Sequence, residues 1–345
     1  MKRTHAKSKT AQEANRVVGY LQHHFVGQLD ELSKVFGDSK HFEAVTWGRD
    51  GGKHGGGVRY VSTDDMLFNR ASVNVSQVHY DDDKSKKLGS ATAISTIIHP
   101  MHPNVPSIHM HISWTEMRDG KGYWRVMADL NPAIEDEEAT NRFNSVLKAA
   151  AGEYFEEGSA QGDRYFNIPA LGRHRGVSHF YLENFNSGDA EADMVFAKKF
   201  GEMMINVYGA IVFEALENVT EPIEKELEEQ LAYHTLYLFQ VLTLDRGTTS
   251  GLLVHNQNDI GILGSIPRYV SKSLLATWKV QVQTPQDKLV DALLAALGEG
   301  DRVLVDESVK QRLANAVREH YTTYPEALNL QASGNIVPPT VDNHK

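Results

Sequence analysis

Four histidines and three prolines fall within the fourteen residues that run from Ile98 to His111. The segment then alternates: apolar Ile108, Met110, Ile112 and Trp114 are interleaved with His109, His111, Ser113 and Thr115. A strand with one polar face reads this way, because successive side chains point to opposite sides of a sheet. His109 and His111 therefore share a face. Two imidazoles displayed together are costly to bury without partners, so the pattern calls for a substrate, a metal or a hydrogen-bond network. Two chemistries follow. One is proton transfer by histidine. The other is metal binding, in which His109 and His111 at i and i+2 would be joined by Asp129, Glu183 or His179 around Fe(II) or Zn(II), giving a dioxygenase or a hydrolase.

The elements that must position these residues can be outlined from periodicity. Strands are expected at 58–62, 72–78, 93–98, 108–117 and 123–130, and the last two flank Arg118-Asp119-Gly120-Lys121-Gly122, a turn sequence that makes them a hairpin. If odd positions pair with odd, Arg125 and Asp129 join His109 and His111 on one face. Helical spacing is expected over 11–36, 135–158, 188–218 and 220–232, and for two helices within 284–329. The long helix over 190–216 reads as core, and the acidic stretch 221–229 as a solvated helix face. Two late strands are expected at 235–245 and 261–266. Asp50-Gly51-Gly52-Lys53-His54-Gly55-Gly56-Gly57 reads as a flexible loop, since no strand-loop-helix phosphate pattern surrounds it. This order predicts an α+β fold, a large antiparallel sheet covered on both faces by helices. A basic arm (1–10), one domain (11–330) and a polar tail (331–345) are expected.

Composition narrows the function. The 345 residues include no cysteine, which removes disulfides, thiolate metal sites and a cysteine nucleophile. The formal net charge is −10, with no sustained basic block beyond the arm, so a nucleic-acid backbone is not expected as a partner. No apolar run of membrane-spanning length and no signal-like start are present, and a soluble, cytoplasmic protein is expected.

Six colinear segments between about residues 47 and 280 resemble oxygen-dependent coproporphyrinogen III oxidases. They are Trp47 with the following glycines, Val73-Asn74-Val75-Ser76-Gln77-Val78-His79, and the His-Pro/Pro-x-Val-Pro/His run from His99 to His109. Asp129-Leu130-Asn131-Pro132, Arg175 through Asn186, and Leu244-Asp245-Arg246-Gly247-Thr248-Thr249-Ser250-Gly251-Leu252 with the later Leu263-Gly264-Ser265-Ile266-Pro267 complete the series. The resemblance implies oxidative decarboxylation of two pyrrole propionates to vinyl groups in heme biosynthesis. The substrate would be a tetrapyrrole, O2 the co-substrate, with no metal or organic cofactor, and the enzyme a homodimer.

By the same resemblance His109 corresponds to a proton donor, and Asp129 and Asp245 are candidates for the carboxylate that polarises a pyrrole N–H. Arg246 would reach a propionate from the end of a distorted strand, and Ser95, His99, His111 and Arg175 would contact substrate. Departures are concentrated at arginines. The family's arginine two residues after His111 is Ser113 here, and its Gly-Gly-Arg loop falls on His255-Asn256-Gln257 or one residue later, at Asn256-Gln257-Asn258. Each lost bidentate contact to a carboxylate costs on the order of 2 kcal/mol. Arg125 stands where the family has glycine and is a candidate replacement for the arginine missing at 113. A paralogue that acts on another substrate, or only binds a tetrapyrrole, is the alternative that these losses keep open.

Overall fold

The computed structural model describes residues 2–337 and 340–344; Met1, Pro338, Pro339 and Lys345, which belong to the expected arm and tail, lie outside the described residues. Seven strands form one antiparallel sheet: β1 (Glu43–Gly48), β2 (Gly55–Val61), β3 (Phe68–His79), β4 (Leu88–Pro100), β5 (Ser107–Met117), β6 (Gly122–Asn131) and β7 (Ser178–Phe185). Neighbours in the sheet are neighbours in sequence, so each pairing through β6 is closed by a local connection. The hairpin register is odd with odd: His109 faces Asp129, His111 faces Met127 and Ser113 faces Arg125.

One face of this sheet is apolar. Ile94, Ile108, Met110, Ile112, Trp124, Val126, Ala128 and Leu130 are fully buried there against α1 (Lys9–Phe36), α2 (Glu137–Ala151), α3 (Phe155–Phe166) and α4 (Ala190–Asn218). Helix α1 begins where Ser8 accepts a hydrogen bond from the Ala11 N–H, and it buries Val18, Leu21, Phe25 and Leu29 at helical spacing. Complete burial of such side chains stabilises the fold by about 1.5–3 kcal/mol each.

The other face looks toward a second apolar cluster, built from α5 (Glu224–Thr243), α6 (Arg246–Val254), α7 (Asp259–Ile262), α8 (Lys272–Trp278), α9 (Gln286–Leu297) and α10 (Glu307–Thr323), with Ile97 of the sheet among its members. The last element is the short α11 (Thr340–Asn343). Helices thus cover both faces of the sheet, as the α+β reading expects. No helix among the described residues is long and apolar enough to cross a membrane.

Several sequence expectations are corrected. The strand expected at 235–245 is the C-terminal half of α5, and the one at 261–266 is helical turn. From Tyr233 to Thr243 every residue is buried, so the apolar run carries no period that separates strand from helix. The glycine-rich segment is not a loop throughout: Gly55–Val61 is β2, and the chain turns over residues 49–54, with Asp50 and Gly51 at positive φ (49° and 67°). The helix expected over 135–158 divides into α2 and α3 after Gly152, whose φ is 56°. Strand β1 was not anticipated; its largely exposed Glu43-Ala44-Val45-Thr46 lacks a buried alternation.

Candidate functional site

Because paired residues in a sheet share a face, the register lays out the site as rows of side chains. One row crosses the sheet as Arg59, Asn74, Ser95, His111, Met127 and Tyr181. A second runs Ser72, Ile97, His109, Asp129 and His179. A third runs Ser76, Ala93, Ser113 and Arg125. Above these rows lies a cleft of about 270 Å³ whose walls include Asn74, Ser95, His109, His111, Arg125, Tyr165, Tyr181, Asp245 and His255.

At its floor, His109 Nδ1 lies 3.0 Å from Asp129 Oδ1. The second oxygen of Asp129 accepts from Arg175 Nη2 at 2.8 Å and from Asn131 Nδ2 at 2.6 Å. Burial pushes the Asp129 carboxyl up, but the Arg175 guanidinium and His109 outweigh it and hold the group at about 2. Nδ1 of His109 also lies 3.1 Å from Arg175 Nη2, so Asp129 and Arg175 both hold the ring through Nδ1, and Nε2 is left for the cleft. Arg175 is itself wholly buried, sandwiched between the rings of Phe166 (4.7 Å) and Tyr237 (4.8 Å), and it donates to Gln240 Oε1 at 2.8 Å. It positions Asp129 from beneath rather than lining the cleft.

His111 is neutral: burial pushes its imidazole well below the ordinary histidine value, and the charges of Arg125 and His109 push the same way. Its Nε2 is buried and has no hydrogen-bond partner among the described residues. Arg125 is the one Lys or Arg among the described residues lining the cleft. Its Nε and Nη2 each lie 2.9 Å from Glu183 Oε1, and the hydroxyl of Tyr181 donates to the other Glu183 oxygen.

Asp245 enters from the opposite wall. It is the N-cap of α6, accepting from the Thr248 N–H at 2.6 Å through one oxygen and from the Tyr165 hydroxyl at 2.7 Å through the other. Tyr165 reaches it because α3 lies close on β7: a Cβ at Gly162 would stand 2.7 Å from the Cβ of His179. His344 completes the rim, with its Nδ1 3.1 Å from the Tyr80 hydroxyl and its ring 5.4 Å from that of His255.

The sequence candidates therefore separate. His109, His111, Ser95, Arg125 and Asp245 line the cleft, and Asp129 stands directly behind His109. Arg246 does not line it: with no strand at this point, Arg246 opens α6 and donates Nε to the Ala332 carbonyl at 2.8 Å. His99 is fully buried, with Nδ1 2.9 Å from Ser107 Oγ and its ring edge-on to Tyr237 at 4.7 Å, so it holds the proline-rich connection in place. Ser113 lies opposite Arg125 but outside the lining, and Asn256, Gln257 and Asn258 form the loop beyond His255, where Gln257 Oε1 accepts from the Asp50 N–H. Asn74, Tyr165, Tyr181 and Tyr237 were missed as site residues; Asn74 sits in the Val73–His79 segment, where alternation alone would have placed it on the polar face.

For a metal, Asp129 is taken by Arg175 and Asn131, Glu183 by Arg125 and Tyr181, and His179 by Asp163 and the Arg175 carbonyl. Among the described residues no three His, Asp or Glu side chains converge as a metal-holding group.

Residues 13–297 match the family model described as coproporphyrinogen III oxidase. The chain belongs to this family. It is 30% identical over 240 residues to the oxygen-dependent coproporphyrinogen-III oxidase of Rickettsia bellii (strain OSU 85-389), covering 66% of this chain and 83% of that protein. It is 27% identical over 281 residues to the mitochondrial oxygen-dependent coproporphyrinogen-III oxidase of Rattus norvegicus, covering 74% of this chain and 61% of the relative. The corresponding human protein is 27% identical over 273 residues, covering 72% of this chain and 58% of its own. Within the coproporphyrinogen III oxidase fold, four of the six segments noted in the sequence line one cleft, through Asn74 and Ser76, through His109, through Tyr181, and through Asp245 and Thr248; a fifth supplies Asp129 behind His109, and Trp47 with its glycines lies outside the lining. The arginine-for-glycine and serine-for-arginine departures at 125 and 113 fall on a single cross-strand pair.

Proposed function

We propose that the chain decarboxylates two propionates of coproporphyrinogen III oxidatively, with O2, to give the divinyl product used in heme biosynthesis. Each conversion breaks the bond to the carboxyl carbon and a C–H bond of the neighbouring methylene. CO2 leaves, and two electrons pass to O2, which takes up protons as peroxide. Family membership supports the reaction class, and the observation that carries it to this cleft is the convergence of His109, His111, Asp245 and Arg125. No metal or organic cofactor is invoked, since an electron-rich reduced pyrrole can react with O2 directly once its N–H is polarised.

In this reading Asp245 accepts the pyrrole N–H hydrogen bonds. The Thr248 N–H and the Tyr165 hydroxyl fix its rotamer in advance, so little reorganisation is needed when substrate arrives. His109, oriented through Asp129 and Arg175, presents Nε2 for proton transfer to or from the reacting methylene. The free Nε2 of His111 offers a further polar contact. Arg125 anchors one propionate. It takes over the task of the family arginine absent at Ser113 from directly across the hairpin, with Glu183 holding the guanidinium plane.

The proposal includes a cytoplasmic homodimer, as the family resemblance implies, and sedimentation of the purified chain checks the assembly. The activity test is incubation of chelator-treated protein with chemically reduced coproporphyrinogen III in air and under argon, followed by oxidation and chromatography of the porphyrins. Protoporphyrin formed only in air, without added metal, is the expected result. Tight binding of coproporphyrin by folded protein without any turnover would favour the binding paralogue instead.

A further inference from the structure

A second cavity, of about 440 Å³, lies beside the cleft among the described residues. Its walls come from β2, β3, the segment 260–268 and the start of α10, and they carry Arg59, Arg70, Arg268 and Lys310 together with Asp65, Asp306 and Glu307. These charges are not equally matched. Arg268 is paired with Asp65, and Asp306 caps α10 by accepting from the Val309 N–H at 2.8 Å. Among the described residues Arg70 donates only to the neutral backbone carbonyls of Ile266 (3.1 Å) and Val305 (3.3 Å).

Arg59 and Lys310 stand apart. They are 8% and 5% exposed, and neither makes a hydrogen bond or an ion pair with any described residue. Arg59 Nε is a buried donor with no partner. Glu307 attracts both through space but pairs with neither. A cation held largely out of water without a counter-ion is destabilising, so two such groups facing one cavity leave it short of an anion. Lys310 registers the shortage: burial, with Arg70 and Arg59 beside it, lowers its ammonium to about 7 against the attraction of Glu307 and Asp306. The concentration of positive charge is local, since the whole chain has a formal net charge of −10.

We propose that this cavity is a binding site for an oxyanion group, phosphate or carboxylate, held by Arg59 and Lys310. The guanidinium supplies a planar pair of donors and the ammonium a point charge, and the volume falls within the roughly 300–1,000 Å³ usual for small-ligand sites. The site borders the cleft through one wall. Gly261, Ile262 and Ser265 face the cleft, while Ile260 and Gly264 of the same turn face the second cavity. The turn also closes on Arg59 at Gly261, where an added Cβ would collide with its Nη1. An occupant thus steadies the wall that the tetrapyrrole is proposed to meet. It is either a free small anion or a propionate of the cleft's own ligand passing that wall.

The test uses the full chain in phosphate-free chloride buffer at constant ionic strength, titrated with inorganic phosphate while melting temperature and binding heat are followed. The expected result is a saturable rise in Tm and a saturable isotherm, both lost in Arg59→Gln and in Lys310→Met. Each variant should melt above the parent in phosphate-free buffer, because it removes an unmatched charge. Repeating the titration with coproporphyrin present separates the two sources: competition identifies a propionate of the cleft ligand, and an unchanged isotherm identifies a free anion. Absence of saturable binding by the parent, an equal phosphate response in both variants, or variants that melt below the parent would each overturn the site.

Discussion

The cleft and the cavity beside it both bury arginines, and they treat them oppositely. At the cleft each arginine has its carboxylate, the buried Arg175 beneath the floor with Asp129 and the half-buried Arg125 on the wall with Glu183. In the neighbouring cavity Arg59 and Lys310 have none among the described residues. A matched buried charge supports the fold and cannot be removed alone, whereas an unmatched one strains the fold and is retained for something that binds. The same kind of substitution must then have opposite signs in the two places.

The largest effect is expected at Asp129. Asp129→Asn leaves Arg175 charged, fully buried and without its counter-ion, which should destabilise the protein by about 3–5 kcal/mol in urea unfolding. The parent's acid profile carries the same signature. Folding lowers the Asp129 carboxyl from 3.8 to about 2, so its stabilisation is complete above the unfolded value and is lost as pH falls from about 4 toward 2. A parent and an Asp129→Asn variant with equal stability at pH 7 would remove the claim that the cleft is charge-matched.

Lys310 should behave in the opposite sense. Its amine is lowered from 10.5 to about 7 on folding, so between those values the unfolded chain binds more protons and stability rises with pH, by several kcal/mol across the window. The groups facing it are Arg59 on β2, Arg70 on β3, Asp306 and Glu307 on its own helix, and the Arg268–Asp65 pair. Lys310→Met should flatten the slope in phosphate-free buffer, and a slope that persists would place the titration elsewhere.

The contrast also explains what could be read from sequence. The cleft floor was legible because His109, His111, Arg125 and Asp129 lie on one hairpin, where alternation and a short turn fix both face and register. Arg175 was legible as a residue but not in its role, since its burial beneath Asp129 depends on Phe166 of α3 and on Tyr237 and Gln240 of α5. The late strands failed because burial on all sides erased the period in α5. The second cavity left no local signal at all. Its cations at 59, 70, 268 and 310 are brought together only by the packing of α10 and the turn at 260–268 against β2 and β3.

Within the cleft, the match between Arg125 and Glu183 can be moved rather than broken. The double variant Arg125→Gln/Glu183→Gln removes both charges, leaving no unpaired ion, and is expected to weaken substrate affinity by roughly 10- to 30-fold, about 2 kcal/mol, in the KM of the oxidase assay. Adding Ser113→Arg puts the guanidinium back on the opposite member of the same cross-strand pair and should recover most of the loss. An unchanged KM in the double variant would mean that Arg125 serves only Glu183, and the cleft would then need another anchor.

The smallest effect is expected at the rim. His344 is held by one polar contact to Tyr80 and by ring contact with His255, and it narrows a cleft whose volume, about 270 Å³, is slightly below the usual range for a small-ligand site. A tetrapyrrole must displace this side chain to enter, so part of its binding energy is spent against the Tyr80 contact. His344→Ala removes the contact and is expected to lower KM a few-fold, an effect of under about 1 kcal/mol, with kcat unchanged because no group at the cleft floor is touched. A rise in KM would show instead that the imidazole contacts the bound substrate, and the rim would join the matched side of the comparison.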